Sequence, residues 1–129
     1  MIISKTPLRM SFVGGGSDLP AFYREEPGAV LSTSIDRFVY IAVNRKFDGR
    51  IRLNYSRTEE VDHPSEIEHP LVREALDVTG VRGGIEIAST ADIPSKGSGL
   101  GSSSTFTVGL LNALYAFRNS FASKETLAR

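Results

Sequence analysis

Between positions 97 and 104 the chain reads Gly97, Ser98, Gly99, Leu100, Gly101, Ser102, Ser103, Ser104, and helical spacing of apolar residues begins at once behind it. Glycines let a backbone approach a ligand closely and turn through positive φ. A helix start leaves its first N–H groups without intrahelical partners, and its dipole favours negative charge there. Both features at one point predict an anion site, and a nucleotide phosphate suits it best. A flexible Gly/Ser linker would not run straight into Phe106, Leu110, Leu114 and Phe117, which share one helical stripe with Leu111 and Tyr115 beside it. Just upstream, Ile85 and Ile87 alternate with polar neighbours, as a half-buried strand does. The chain is therefore constrained to a strand, a glycine loop and a buried helix in succession. The loop is not of the Gly-x-x-x-x-Gly-Lys-Ser/Thr type, because no lysine follows its last glycine, and it lacks the Gly-x-Gly-x-x-Gly pattern with a later ribose-binding acid.

Composition narrows the function classes. The 129 residues suffice for one domain with its own core, and 40% hydrophobic with 23% charged residues is a globular balance. Fifteen basic residues offset fifteen acidic ones, so no basic surplus points to nucleic acid. Without cysteine there are no disulfides, thiolate metal sites or cysteine nucleophiles. No signal-peptide core or bilayer-length apolar run is evident, so the expected location is cytoplasmic with no membrane partner.

Along the chain, residues 8–13 read as a strand ending at three glycines, and residues 18–23 as a short helix with Pro20 in its first turn. Two branched, apolar stretches, 28–35 and 38–44, predict a hairpin turning at Asp36 and Arg37. A further strand is expected at 51–56, and a polar surface connection at 58–69, where His63 and His69 flank Glu66 and Glu68 as solvated loop residues rather than a metal cluster. Residues 70–78 suit a helix with Leu71, Ala75 and Val78 on one face and Gly80 near its stop. The long helix is expected at 103–118. Ser123 and Glu125 open another helix that the remaining residues hardly begin.

A second glycine motif lies far upstream: Thr6, Pro7, Leu8, Arg9, Met10, Ser11, Phe12, Val13, Gly14, Gly15, Gly16, Ser17, Asp18, Leu19, Pro20. The strand carries Arg9 and Ser11 on one face. A guanidinium there could neutralise phosphate charge and Asp18 could accept from hydroxyls, although a surface charge, a helix cap and a tight turn explain these residues equally well one at a time. Taken together, the two motifs resemble the N-terminal part of the GHMP small-molecule kinases, and the upstream one is similar to that of the heptose 7-phosphate kinase and fucokinase branch.

That resemblance covers essentially the whole chain and implies an α+β fold, a mixed, largely antiparallel sheet with helices on one face and a left-handed βαβ unit. It implies an ATP-dependent sugar kinase acting on the anomeric hydroxyl of a heptose 7-phosphate or related sugar, with ATP and Mg²⁺ as cofactors. Gly97, Ser98, Gly99, Leu100, Gly101, Ser102, Ser103 and Ser104 would hold the triphosphate, and Ser103 would meet the Mg²⁺. Arg9 would lie by the transferred phosphoryl as the catalytic residue. Ser11, Gly14, Gly15, Gly16, Ser17 and Asp18 would line the sugar site, with Lys96 left as a solvated loop residue. Pro94 and Gly99 are one residue further apart than is common in the family. The family's acidic base or Mg²⁺ ligand and its third glycine motif would fall beyond Arg129. The expectation is thus a truncated N-terminal domain over 1–129 without its C-terminal domain, inactive by itself as a nucleotide-binding fragment, and prone to self-association through the surface so left exposed.

Overall fold

The computed structural model describes residues 1–13, 20–29, 31–93, 102–119 and 127. Strand β1 (Ile2–Val13) is followed by a four-residue helix α1 (Pro20–Tyr23), β2 (Leu31–Arg45), β3 (Ile51–Asn54) and β4 (Thr58–Val61). A 3₁₀ turn (Pro64–Glu66), α2 (Pro70–Thr79), β5 (Ile85–Ala91) and α3 (Ser102–Phe117) complete the order. The five strands form one sheet in the order β1-β2-β5-β3-β4. Neighbours are antiparallel except β3 and β5, which run parallel. Parallel neighbours need a crossover, and the stretch from β4 to α2 supplies it. The mixed, largely antiparallel sheet is as expected.

Two-residue periodicity decides which face is covered. Val39, Ile41 and Val43 are buried, while Tyr40 and Ala42 between them are only half-buried. On the same inner face lie Leu8, Ile51, Leu53, Ile85 and Ile87, all essentially inaccessible. Helix α3 packs on β1 and β2, and α2 packs against α3. The core is therefore the seam between the helices and one face of the sheet. Each large aliphatic side chain fully buried there contributes about 1.5–3 kcal/mol. The ion pairs of Arg50 with Glu60 and Asp62 are solvent-exposed and add little beside this.

Three expectations need correction. The predicted hairpin at Asp36 is a single bent strand: Pro7 faces Phe38 but Arg9 faces Ser34, so Ile35, Asp36 and Arg37 bulge opposite Leu8. Arg37 donates to the Asp36 carbonyl within that bulge (2.7 Å). The polar stretch 58–69 is not merely a connection, because β4 pairs with β3 along the sheet edge. In α2 the inner face is Val72, Ala75, Leu76 and Thr79, while Val78 is 65% exposed. Leu71 and Val78 flank that stripe. The Thr79 hydroxyl satisfies itself on the Ala75 carbonyl (2.8 Å), which makes a polar residue acceptable inside.

Candidate functional site

Three elements converge at one end of the sheet. The Thr105 hydroxyl in the first turns of α3 donates to the Pro7 carbonyl of β1 (3.4 Å), joining the flanks of the two glycine motifs across nearly the whole chain. At the end of β5, the Phe38 amide donates to Asp92 Oδ2 (2.9 Å) and the Asp92 amide to the Phe38 carbonyl (3.0 Å). Those bonds fasten the departure point of the 94–101 segment to the sheet.

A pocket of about 340 Å³ opens between the β5 end, the β3–β4 turn and the starts of α2 and α3. Val39, Leu71, Ala91, Ile93 and Phe106 give it apolar walls, and Tyr55, Ser56, His69, Ser89 and Ser103 supply polar groups. The His69 ring stacks on Phe106 with centroids 5.3 Å apart and meets the Tyr55 ring edge-on at 5.0 Å. Such contacts favour flat rings in defined orientations. The pocket is of the size and character that accepts a planar organic group.

Behind this wall stands Glu59, 8% exposed on the inward side of β4. Its Oε2 accepts from the Tyr55 hydroxyl (2.8 Å) and its Oε1 from the Glu68 amide (2.8 Å). Burial alone would raise its pKa, but these bonds and one from the His69 amide outweigh that and hold it below the ordinary carboxylate value. Burial also raises the Tyr55 phenol, and Glu59 adds to the effect. For His69, burial lowers the imidazole pKa, and the Glu59 charge only partly opposes this. Its Nδ1 is buried without a hydrogen-bond partner among the described residues.

The signs follow directly. A depressed imidazole pKa means that the unfolded chain binds the proton first on acidification, so stability falls as pH drops below the ordinary histidine value. Glu59 acts in the same direction at lower pH, its contribution being lost as pH falls through its folded value. Thermal midpoints are expected to fall between about pH 7 and about pH 5, and a His69→Phe variant, which keeps a ring against Phe106, to lose most of that slope. Parallel midpoint–pH curves for the two proteins would contradict this.

Of the expected site residues, Ser103 and Ser104 lie exposed in the first turn of α3, and Ser103 lines the pocket. Ser102 begins the helix. Arg9 is exposed on β1 opposite Ser34, and Ser11 pairs with Ser32. Because Leu8 points into the core, alternation puts Arg9 on the other face of the strand. Gly14, Gly15, Gly16, Ser17 and Asp18 lie outside the described residues, as do Lys96, Gly97, Ser98, Gly99, Leu100 and Gly101. Among the described residues no cluster of His, Asp or Glu could hold a metal ion, and His63 instead caps the 3₁₀ turn by accepting from the Ser65 amide (3.2 Å). No helix among them is long and apolar enough to cross a membrane.

Residues 66–129 match the family model described as the GHMP kinases N terminal domain. Residues 66–129 carry GHMP kinase N-terminal domain sequence. Its curated relatives include a bifunctional fucokinase/GDP-fucose pyrophosphorylase of Arabidopsis thaliana, 31% identical over 95% of this chain and 14% of that protein. Another is a D-glycero-alpha-D-manno-heptose 7-phosphate kinase of Campylobacter jejuni, 28% identical over 92% of this chain and 38% of the relative. Among solved structures, a D-glycero-D-manno-heptose 1-phosphate kinase from Bacteriodes thetaiotaomicron superposes with a TM-score of 0.87 at 25% identity, covering 100% of this chain and 46% of that one. The chain thus spans less than half the length of these relatives. The pocket residues Tyr55 and His69, and Glu59 behind them, escaped the reading of the sequence. One signal for it existed: in Thr58-Glu59-Glu60-Val61 strand alternation must turn one glutamate inward.

Proposed function

We propose that this protein binds Mg²⁺·ATP at the start of α3, with the nucleoside in the adjoining pocket. We further propose that it serves a kinase acting on the anomeric hydroxyl of a heptose 7-phosphate or related sugar. The observation that carries the reading is the double position of Ser103, which belongs both to the exposed first turn of a sixteen-residue helix and to the pocket lining. A triphosphate at the helix start and a flat ring against apolar walls are the two halves of one nucleotide. The residues present fit such a ligand: a hydroxyl and helix N–H groups for phosphate, and Phe106, Leu71 and Ile93 for the base.

ATP supplies the phosphoryl group, and Mg²⁺ offsets charge on its oxygens. The chain's own part is positioning and charge neutralisation. In this proposal the Ser103 hydroxyl is the Mg²⁺ ligand. Ser102, Ser104 and the first amides of α3 donate to phosphate oxygens, and Gly97, Ser98, Gly99, Leu100 and Gly101 complete the cradle. Arg9 offers its planar guanidinium to the transferred group. Asp18 accepts from sugar hydroxyls, with Ser11, Gly14, Gly15, Gly16 and Ser17 around it.

Mg²⁺-dependent ADP release with a panel of sugar phosphates tests the reading. Asp18→Ala is expected to raise the sugar KM by about tenfold or more while leaving the ATP KM within about twofold. Unchanged sugar kinetics would remove Asp18 from the site. ATP binding without ADP release for any sugar would assign this chain the binding half of the reaction alone.

A further inference from the structure

Glu59 is a carboxylate more than nine-tenths buried, and the described structure pairs it with no cation. The Arg57 guanidinium, whose charge acts on it from a distance, is engaged with Glu68 at the surface. A buried charge of this kind persists only where hydrogen bonds replace its water. Here the donors are unusual in where they come from. The Tyr55 hydroxyl belongs to the β3–β4 turn, whereas the Glu68 and His69 amides belong to the segment entering α2. Tyr55 and His69 both line the same pocket. α2 opens at Pro70, which has no N–H to give, and the His69 side chain makes no capping bond. Glu59 therefore anchors the entry to α2 in place of a local cap, and its negative charge suits a helix N-terminus.

We propose that Glu59 is a positioning residue for the nucleoside: by gripping the Tyr55 hydroxyl with one oxygen and the Glu68 amide with the other, it holds the contacting Tyr55 and His69 rings as one aromatic wall against which the base packs. It does not touch the ligand. The proposal rests on the nucleotide reading above and deepens it, because it assigns the selectivity for a flat base to a residue outside the glycine motifs. Its chemistry also predicts which substitution is tolerated. A glutamine at 59 can accept the Glu68 N–H bond through its amide oxygen and donate its NH₂ to the Tyr55 oxygen, whereas alanine releases both rings.

The test is calorimetric titration of the full chain with Mg²⁺·ATP and, separately, with Mg²⁺·tripolyphosphate, which lacks the base. Glu59→Ala is expected to weaken ATP by about tenfold or more and tripolyphosphate by less than about twofold, while Glu59→Gln keeps ATP within about threefold of wild type. A purely structural role would weaken both ligands alike and would overturn the proposal, as would wild-type ATP affinity in Glu59→Ala. If Glu59→Ala does not fold, Tyr55→Phe decides. A selective loss of ATP affinity of about threefold supports the proposal, and no change overturns it. Absence of ATP binding by the wild type removes the nucleotide reading and this proposal with it, a result distinct from failure of the variants alone.

Discussion

Replacing Gly109 with valine is expected to destabilise the fold by about 3 kcal/mol, a fall of roughly 10 °C in thermal midpoint for a domain of this size. Gly109 sits on the inner face of α3, where a Cβ would come within 2.6 Å of Thr6 Oγ1 and 3.2 Å of Ser4 Oγ. The first distance is closer than atoms tolerate, and the obstructing group is short, branched and held on a strand. Ser4, itself buried, places its Oγ close on a second side of the same Cβ. Alanine at 109 gains about 1 kcal/mol of helix propensity, which offsets much of its single overlap, so the large effect belongs to valine. Pairing Thr6→Ala with Gly109→Ala should be less costly than the two changes summed, because the contact is removed from one side. Urea unfolding of the four proteins measures this. A Gly109→Val variant within about 1 kcal/mol of wild type would show that α3 can lift from the sheet without penalty.

With the proposed Mg²⁺·ATP site, Ser103→Ala is expected to abolish most of the gain in ATP affinity that Mg²⁺ brings and to lower any phosphoryl transfer the chain supports by about a hundredfold, the scale of losing one preorganised group at a reacting phosphate. Ser103 is exposed at the helix start, so alanine there leaves the core untouched and the folded stability nearly unchanged. Its carbonyl accepts from the Thr107 hydroxyl (2.8 Å), a backbone contact that survives the substitution. A functional loss without a stability loss is therefore the expected signature. Equal Mg²⁺ dependence in Ser103→Ala and wild type would move the metal to another residue.

Elements with one strong period could be read from the sequence. Ile85 and Ile87 marked β5, and Leu110 and Leu114 marked α3; in the structure all four are fully buried. Gly80 does end α2, in the left-handed conformation at φ 73°. What periodicity could not reveal was set by partners distant in sequence. Asp36 reads as a turn residue, yet Leu8 across the ladder makes it part of a bulge. In α3, Thr105, Gly109 and Ala113 form a second buried row whose small side chains carry no apolar signal, although they let the helix approach β1 closely. In α2 the stripe lies on Val72 and Leu76 because packing against α3 chooses among several nearly apolar faces. The glycine motifs stood out because glycine and hydroxyl clusters are rare. Tyr55, Glu59 and His69 did not, since each is ordinary until a buried carboxylate ties them together.

In the proposed reading one nucleotide occupies both the start of α3 and the aromatic pocket. The most direct test is an amide chemical-shift titration of the isotope-labelled chain with Mg²⁺·ATP, adenosine and Mg²⁺·tripolyphosphate. ATP is expected to move Ser56, His69, Ser103 and Phe106 together, adenosine the pocket residues Ser56, His69 and Phe106, and tripolyphosphate the α3 start around Ser103. ATP binding that leaves these four amides in place would contradict it.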